Sequence, residues 1–115
     1  MKKVYFLKTC DTCRRILREL NISDFDQQEI KSNPINNIQL EEMYKYSKSY
    51  EALFNKRAKL YTSMDLKNKE VSEIDYRQLI LKEYTFLKRP VFIFKNEIFI
   101  GNSKKVIEKL KKIIN

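Results

Sequence analysis

The chain has 115 residues, 43% hydrophobic and 12% aromatic, which suits one domain with a real core and excludes a chain disordered by composition. Its 24 Lys and Arg against 15 Asp and Glu give a formal charge of +9, and it contains no histidine. That removes every Ser-His or Cys-His couple and every His-ligated zinc site within the chain, and leaves Cys, carboxylates, Lys, Tyr and Arg for chemistry.

The N-terminus, MKKVYFLKTCD, has a basic start but too short an apolar run for a signal peptide, and no run approaches a membrane span. The chain therefore reads as cytoplasmic, without membrane contact, in a compartment where cysteines stay reduced unless they do redox chemistry. Most of the basic residues are scattered lysines. The densest group is Lys104, Lys105, Lys109, Lys111 and Lys112 on a predicted C-terminal helix. A solvated face explains this group more simply than direct nucleic-acid binding, although a basic protein attracts anionic substrates and acidic partners.

In chain order, KVYFL (3–7) is a short buried strand. Cys13, Ile16, Leu17 and Leu20 then fall at i, i+3, i+4 and i+7 and predict a helix over about 12–20. DFDQQEI (24–30) is a weaker strand, and KSNP (31–34) a turn. Leu40, Met43, Tyr44 and Ser47 line one face of a helix, and SYEALFN (49–55) suggests another short one. Ser72 followed by Asp75 is a capping box opening a helix to about Tyr84 that carries Tyr76, Leu79 and Ile80.

KRPVFIFKNEIFIGNS (88–103) predicts a hairpin turning at Lys95-Asn96, since Asn tolerates a left-handed backbone. Gly101, the only glycine, marks a position where a side chain is not tolerated. Asn102 or Ser103 caps a last helix with Val106, Leu110 and Ile113 on its core face. Tyr61, Tyr76 and Tyr84 could line a pocket, but such spacing more often means core.

The only cysteines form Cys10-Asp11-Thr12-Cys13, at the junction of the first strand and first helix. A CxxC at such a turn is the thioredoxin-like redox pattern. Cys10 meets the unpaired N–H groups and positive dipole of the helix N-terminus, with Lys8, Arg14 and Arg15 nearby, which favours a thiolate. Cys13 lies on the apolar face. This assigns Cys10 as nucleophile and Cys13 as resolving thiol. Two other readings are open: a pair of buried, inert thiols, or half of a metal site, which would need carboxylates or a second subunit to reach four ligands. No metal is expected. Arg89-Pro90 forms a second constellation, since Pro lacks the N–H for a ladder and must open the strand. Taken alone, Arg89 is an ordinary arginine at a strand start.

CDTCRR, LFNKRAKLY (53–61) and KRPVFIFKNEIFIG (88–101), in this order and spacing, resemble the arsenate reductase (ArsC)/Spx family over nearly the whole chain. The resemblance implies a single α/β domain, 1–115, with a thioredoxin-like fold: βαβ…ββα, a mixed four-stranded sheet, and a helical insert at about 36–86. It implies a cis Pro90 facing the cysteines, which would bring Arg89 to Cys10 as partner for a thiolate or oxyanion. It also places Thr12, Arg14, Arg57 and Pro90 around the substrate or oxyanion.

Arsenate reductases of the family coupled to glutathione and glutaredoxin attack arsenate with one cysteine at the position of Cys10 and hold the oxyanion with arginines. Two of those arginines are missing here. One falls near Asn55, with Arg57 two residues on, and the other near Gly101. Each loss should weaken oxyanion binding by about 1.5–3 kcal/mol. Spx proteins use a CxxC like this one as a disulfide switch and bind the C-terminal domain of the RNA polymerase α subunit; this chain is shorter than typical Spx proteins. It is most similar to short relatives proposed to be glutathione-dependent thiol reductases. Two functions are thus implied. One is a thiol reductase acting on a small oxyanion or a thiol/disulfide substrate, with no bound cofactor, glutathione as co-substrate and glutaredoxin or a similar reductant as partner. The other is a redox-switched transcription regulator binding RNA polymerase.

Overall fold

In a computed structural model that describes all residues, Met1–Asn115, the elements in chain order are β1 (Lys2–Phe6), α1 (Asp11–Glu19), β2 (Asp26–Glu29), α2 (Asn37–Ser47), α3 (Lys59–Ser63), α4 (Glu73–Lys82), β3 (Val91–Phe94), β4 (Glu97–Ile100) and α5 (Lys104–Ile114). Single turns of 3-10 helix stand at Glu51–Leu53, Leu66–Asn68 and Tyr84–Phe86. The chain divides into two units: Met1–Pro34 with Arg89–Asn115, and Ile35–Lys88.

The first unit holds a four-stranded sheet in the order β2-β1-β3-β4. β1 runs parallel to β2 and antiparallel to β3, and β3 is antiparallel to β4. This is the mixed, thioredoxin-like sheet expected of the sequence. VFIF is buried at all four positions because β3 is an inner strand with both faces covered. Val4, Ile16, Leu20, Phe25, Phe92, Phe94, Phe99 and Leu110 form one core cluster, with Leu17, Val106, Ile107 and Ile113 packed against it. The predicted stripes of α1 and α5 are therefore the faces that go inward. On the outer face of α5, Lys109 pairs with Glu97 and Lys111 with Glu19, while Lys104, Lys105 and Lys112 are exposed.

At the hairpin turn Lys95 and Asn96 both have positive φ, 53° and 60°, the requirement of a tight two-residue connection whose twist matches the strands. Asn occupies that region at lower cost than Lys. Lys95→Asn should stabilise the protein by about 0.5–1 kcal/mol, read as a higher urea midpoint at unchanged slope. A lower midpoint would show that the turn carries no strain. Gly101, at φ 85°, sits in the left-handed region and donates its N–H to the Pro90 carbonyl at 2.9 Å, which is why no side chain suits the position. Of the two candidate caps for α5, Ser103 is the one used, accepting the Val106 N–H.

In the second unit, α4 opens on the expected capping box of Ser72 and Asp75, and α2 on a further one, Asn36 with Gln39. Leu40 and Met43 are fully buried. The helix expected over 49–55 is a single 3-10 turn. The Glu73 carboxylate takes the N–H groups of Tyr50 and Glu51, and Phe54 leaves the turn in extended conformation to bridge Leu87. Of the three tyrosines expected to be core, Tyr76 is buried while Tyr61 and Tyr84 are half-buried; Phe54 stacks on Phe86 at 4.8 Å and packs on Tyr76 at 4.8 Å and Tyr61 at 6.0 Å. α4 ends at Lys82, so Tyr84 belongs to the next turn.

Candidate active site

β1 leaves the sheet at Phe6, and the chain turns through Leu7–Cys10, closed by the Cys10 N–H donating to the Leu7 carbonyl at 3.1 Å. Cys10 has extended backbone angles while its carbonyl already accepts the Arg14 N–H at 3.0 Å, so it is the N-cap of α1. Its sulfur is half-buried; that of Cys13, one turn into the helix on the inward face, is fully buried. Both are free thiols.

The two sulfurs titrate in opposite directions. Burial opposes ionisation of Cys10, but the Cys13 backbone N–H, the Cys13 thiol, and the charge and hydrogen bond of Arg89 together outweigh it and hold Cys10 below the ordinary thiol range. Cys13 is pushed up to about 12, first by burial and then by the negative charge of Cys10, against a backbone hydrogen bond from Leu7 and the charge of Arg89. The outer sulfur is thus the first of the pair to ionise, and the inner one holds its proton.

Arg89 precedes β3, and its peptide bond to the buried Pro90 is cis. Arg89, remote in sequence, stands beside Cys10 in space. Thr12 is half-buried in the first turn of α1. The exposed Arg14 turns its guanidinium to the Asp11 carboxylate, one turn back on the same helix. Arg57 is exposed in the second unit. Asn55, near the place of a missing arginine, gives its side-chain amide to the Thr85 carbonyl at 3.2 Å and its backbone N–H to the Phe86 carbonyl at 2.7 Å, and accepts the Arg57 N–H at 3.1 Å. Its polar atoms are spent on the fold.

One residue with no signal in the sequence stands out. Glu29, at the end of β2, accepts the backbone N–H of Lys8 in the turn before Cys10. No group of three Cys, Asp or Glu side chains comes together in metal-binding geometry, and no helix is long and apolar enough to cross a membrane.

The chain is 25% identical over 104 residues to the global transcriptional regulator Spx of Streptococcus mutans (strain UA159), a match spanning 88% of this chain and 76% of that one. Among solved structures it is similar to one described as a possible arsenate reductase from Streptococcus mutans UA159, at TM-score 0.73 and 25% identity, covering 96% of this chain and 97% of the other. Arsenate reductase from Vibrio cholerae shares the fold at TM-score 0.74 and 16% identity, over 98% of this chain and 97% of that one. The ArsC family model matches residues 5–110, from the first strand to the last helix, and this chain therefore belongs to the ArsC family.

Proposed function

We propose that this protein is a thiol-dependent oxidoreductase that reduces disulfide substrates, with Cys10 as nucleophile, Cys13 as resolving thiol and glutathione as co-substrate. The observation that carries the reading is the convergence of Arg89 on a helix-N-terminal thiol whose neighbour is held protonated. The Cys10 thiolate attacks one sulfur of R–S–S–R′, forming Cys10–S–S–R and releasing R′–S⁻, which takes up a proton. With the charge of Cys10 gone, one of the forces holding the proton on Cys13 is gone too. Cys13 then loses its proton, attacks the Cys10 sulfur, releases R–S⁻ and closes the Cys10–Cys13 disulfide. Two glutathione thiols, alone or by way of glutaredoxin, reopen it. The balance is R–S–S–R′ plus two GSH giving RSH, R′SH and GSSG.

A disulfide is favoured over arsenate as substrate because an oxyanion needs converging positive donors. Arg89 is one, while Asn55 is committed to Thr85 and Phe86, and Gly101 has no side chain. Arg89→Gln should raise the Cys10 pKa toward that of an ordinary thiol. Alkylation at neutral pH should slow about tenfold, the low end for a charged hydrogen bond because Cys10 is half-exposed. An unchanged alkylation profile would remove Arg89 from the site.

The similarity to an Spx regulator supports a second reading. In that case the same disulfide reshapes the surface of α1 for a partner, the RNA polymerase α subunit. The two separate at Cys13. With glutathione, glutathione reductase and hydroxyethyl disulfide or arsenate, NADPH consumption should survive in Cys13→Ser, because a second glutathione can resolve Cys10–S–S–G. A switch needs both sulfurs. No turnover on any substrate, in a protein that still forms the Cys10–Cys13 disulfide, would overturn the enzyme reading. The oxidised and reduced forms would then go to a binding assay with the C-terminal domain of the polymerase α subunit.

A further inference from the structure

We propose that Glu29 is a positioning residue that locks the Lys8–Cys10 turn so that the Cys10 sulfur stays at the N-terminus of α1; this rests on the reading of Cys10 as the nucleophile. Phe6 and Glu29 are the last register pair of the two parallel strands, and the Ile30 N–H still reaches the Phe6 carbonyl at 2.9 Å. Beyond that point both segments leave the sheet, and the Glu29 carboxylate ties their exits together. Its Oε2 accepts the Lys8 N–H at 2.9 Å. Its Oε1 accepts the Lys31 N–H at 3.0 Å, the Ser32 N–H at 2.8 Å and the Ser32 hydroxyl at 2.9 Å. The three bonds on one oxygen orient the carboxylate, and the other oxygen holds the turn.

The turn is short, and its other ties converge on the thiols. The Leu7 carbonyl takes the Cys10 N–H, and the Leu7 backbone hydrogen-bonds to Cys13. Lys8 lies between these anchors, and Glu29 holds its N–H. If that bond is lost, Leu7 and Cys10 can drift relative to α1, weakening both the N-terminal environment of Cys10 and its alignment with Arg89. The depressed carboxyl of Glu29, which burial alone would raise, reflects the N–H groups of Ser32, Lys8 and Lys31 and the Ser32 hydroxyl bonding its charged form. Four donors need an acceptor-only group. An amide presents one oxygen and one NH₂, so glutamine leaves either Lys8 or the Lys31–Ser32 side facing a donor.

The test is the pH profile of Cys10 alkylation by iodoacetamide in the reduced 115-residue protein, read at Cys10 by mass spectrometry. Wild type is compared with Glu29→Gln and with Ser32→Ala, which removes one bond on the far oxygen and leaves Lys8 held. Glu29→Gln should slow alkylation at neutral pH about three- to tenfold and move the inflection upward, whereas Ser32→Ala should stay within about twofold. Independently, the Lys8 amide of the wild type should exchange at least about tenfold more slowly than in an unstructured peptide. A Glu29→Gln profile superimposable on wild type overturns the proposal. So does a Lys8 amide exchanging at the unstructured rate, which decides the matter even if the variant does not fold. A wild-type inflection at the ordinary thiol value overturns the reading of Cys10 itself, and this inference with it.

Discussion

Cys10→Ser is expected to abolish disulfide-dependent turnover, lowering kcat by on the order of 10³-fold or more, as loss of a covalent nucleophile does elsewhere. The hydroxyl is not ionised at neutral pH even beside Arg89 and the helix N-terminus. More decisively, it cannot form the sulfur–sulfur bond on which both steps depend. The remaining thiol does not compensate: Cys13 is fully buried, and burial, the first cause of its raised pKa, persists when Cys10 is replaced. The substitution is nearly isosteric at a half-buried position, so the melting temperature should move little, which separates lost chemistry from lost fold. The measurement is NADPH consumption in the glutathione-coupled assay beside the thermal melt. Retained turnover in a folded variant would eliminate Cys10 as the nucleophile, and the switch reading would fall as well if the response to oxidants also persisted.

Phe92→Ala should cost about 3–5 kcal/mol, the largest stability effect expected of any single change considered. Phe92 is fully buried on inner strand β3. It pairs with Val4 on β1 and Phe99 on β4 and meets the edge of the Phe25 ring at 6.0 Å. All of these neighbours belong to strands or to the loop before β2, held by backbone ladders on both sides of β3, so they cannot collapse into the space left behind. At roughly 4 °C per kcal/mol for a domain of this size, the melting temperature should fall by about 12–20 °C. Phe92→Leu, which keeps most of the volume, should cost no more than about 1.5 kcal/mol. A loss below about 1 kcal/mol for Phe92→Ala would mean that the cluster repacks, and that it is less rigid than its ladders imply.

The elements legible in the sequence are those whose signal is local. α1 and α5 announce themselves by apolar stripes because one face of each is buried. α4 is opened by Ser72 and Asp75 within its own first turn, and the hairpin by the Asn96 it turns on. α3 and the turn at Leu66–Asn68 carry no such signal, since α3 buries no side chain and so has no stripe to read. The short turn at Glu51–Leu53 depends on Glu73, far along the chain, for its capping, and local propensity therefore suggests a longer helix than forms.

The same division runs through the site. Spacing and residue type are enough to establish that two thiols stand at a strand-to-helix junction, that the inner one lies on an apolar face, and that no histidine can take part. Which groups act on those thiols depends on the assembled sheet. Arg89 stabilises Cys10 because β1 and β3 are neighbours in it. Glu29 holds the turn before Cys10 because β1 and β2 end side by side. Asn55 is spent on Thr85 and Phe86, and Arg14 on Asp11 rather than left open. Hydrogen bonds and charges act over a few ångströms of space, and sequence distance carries no record of them until the strands have paired.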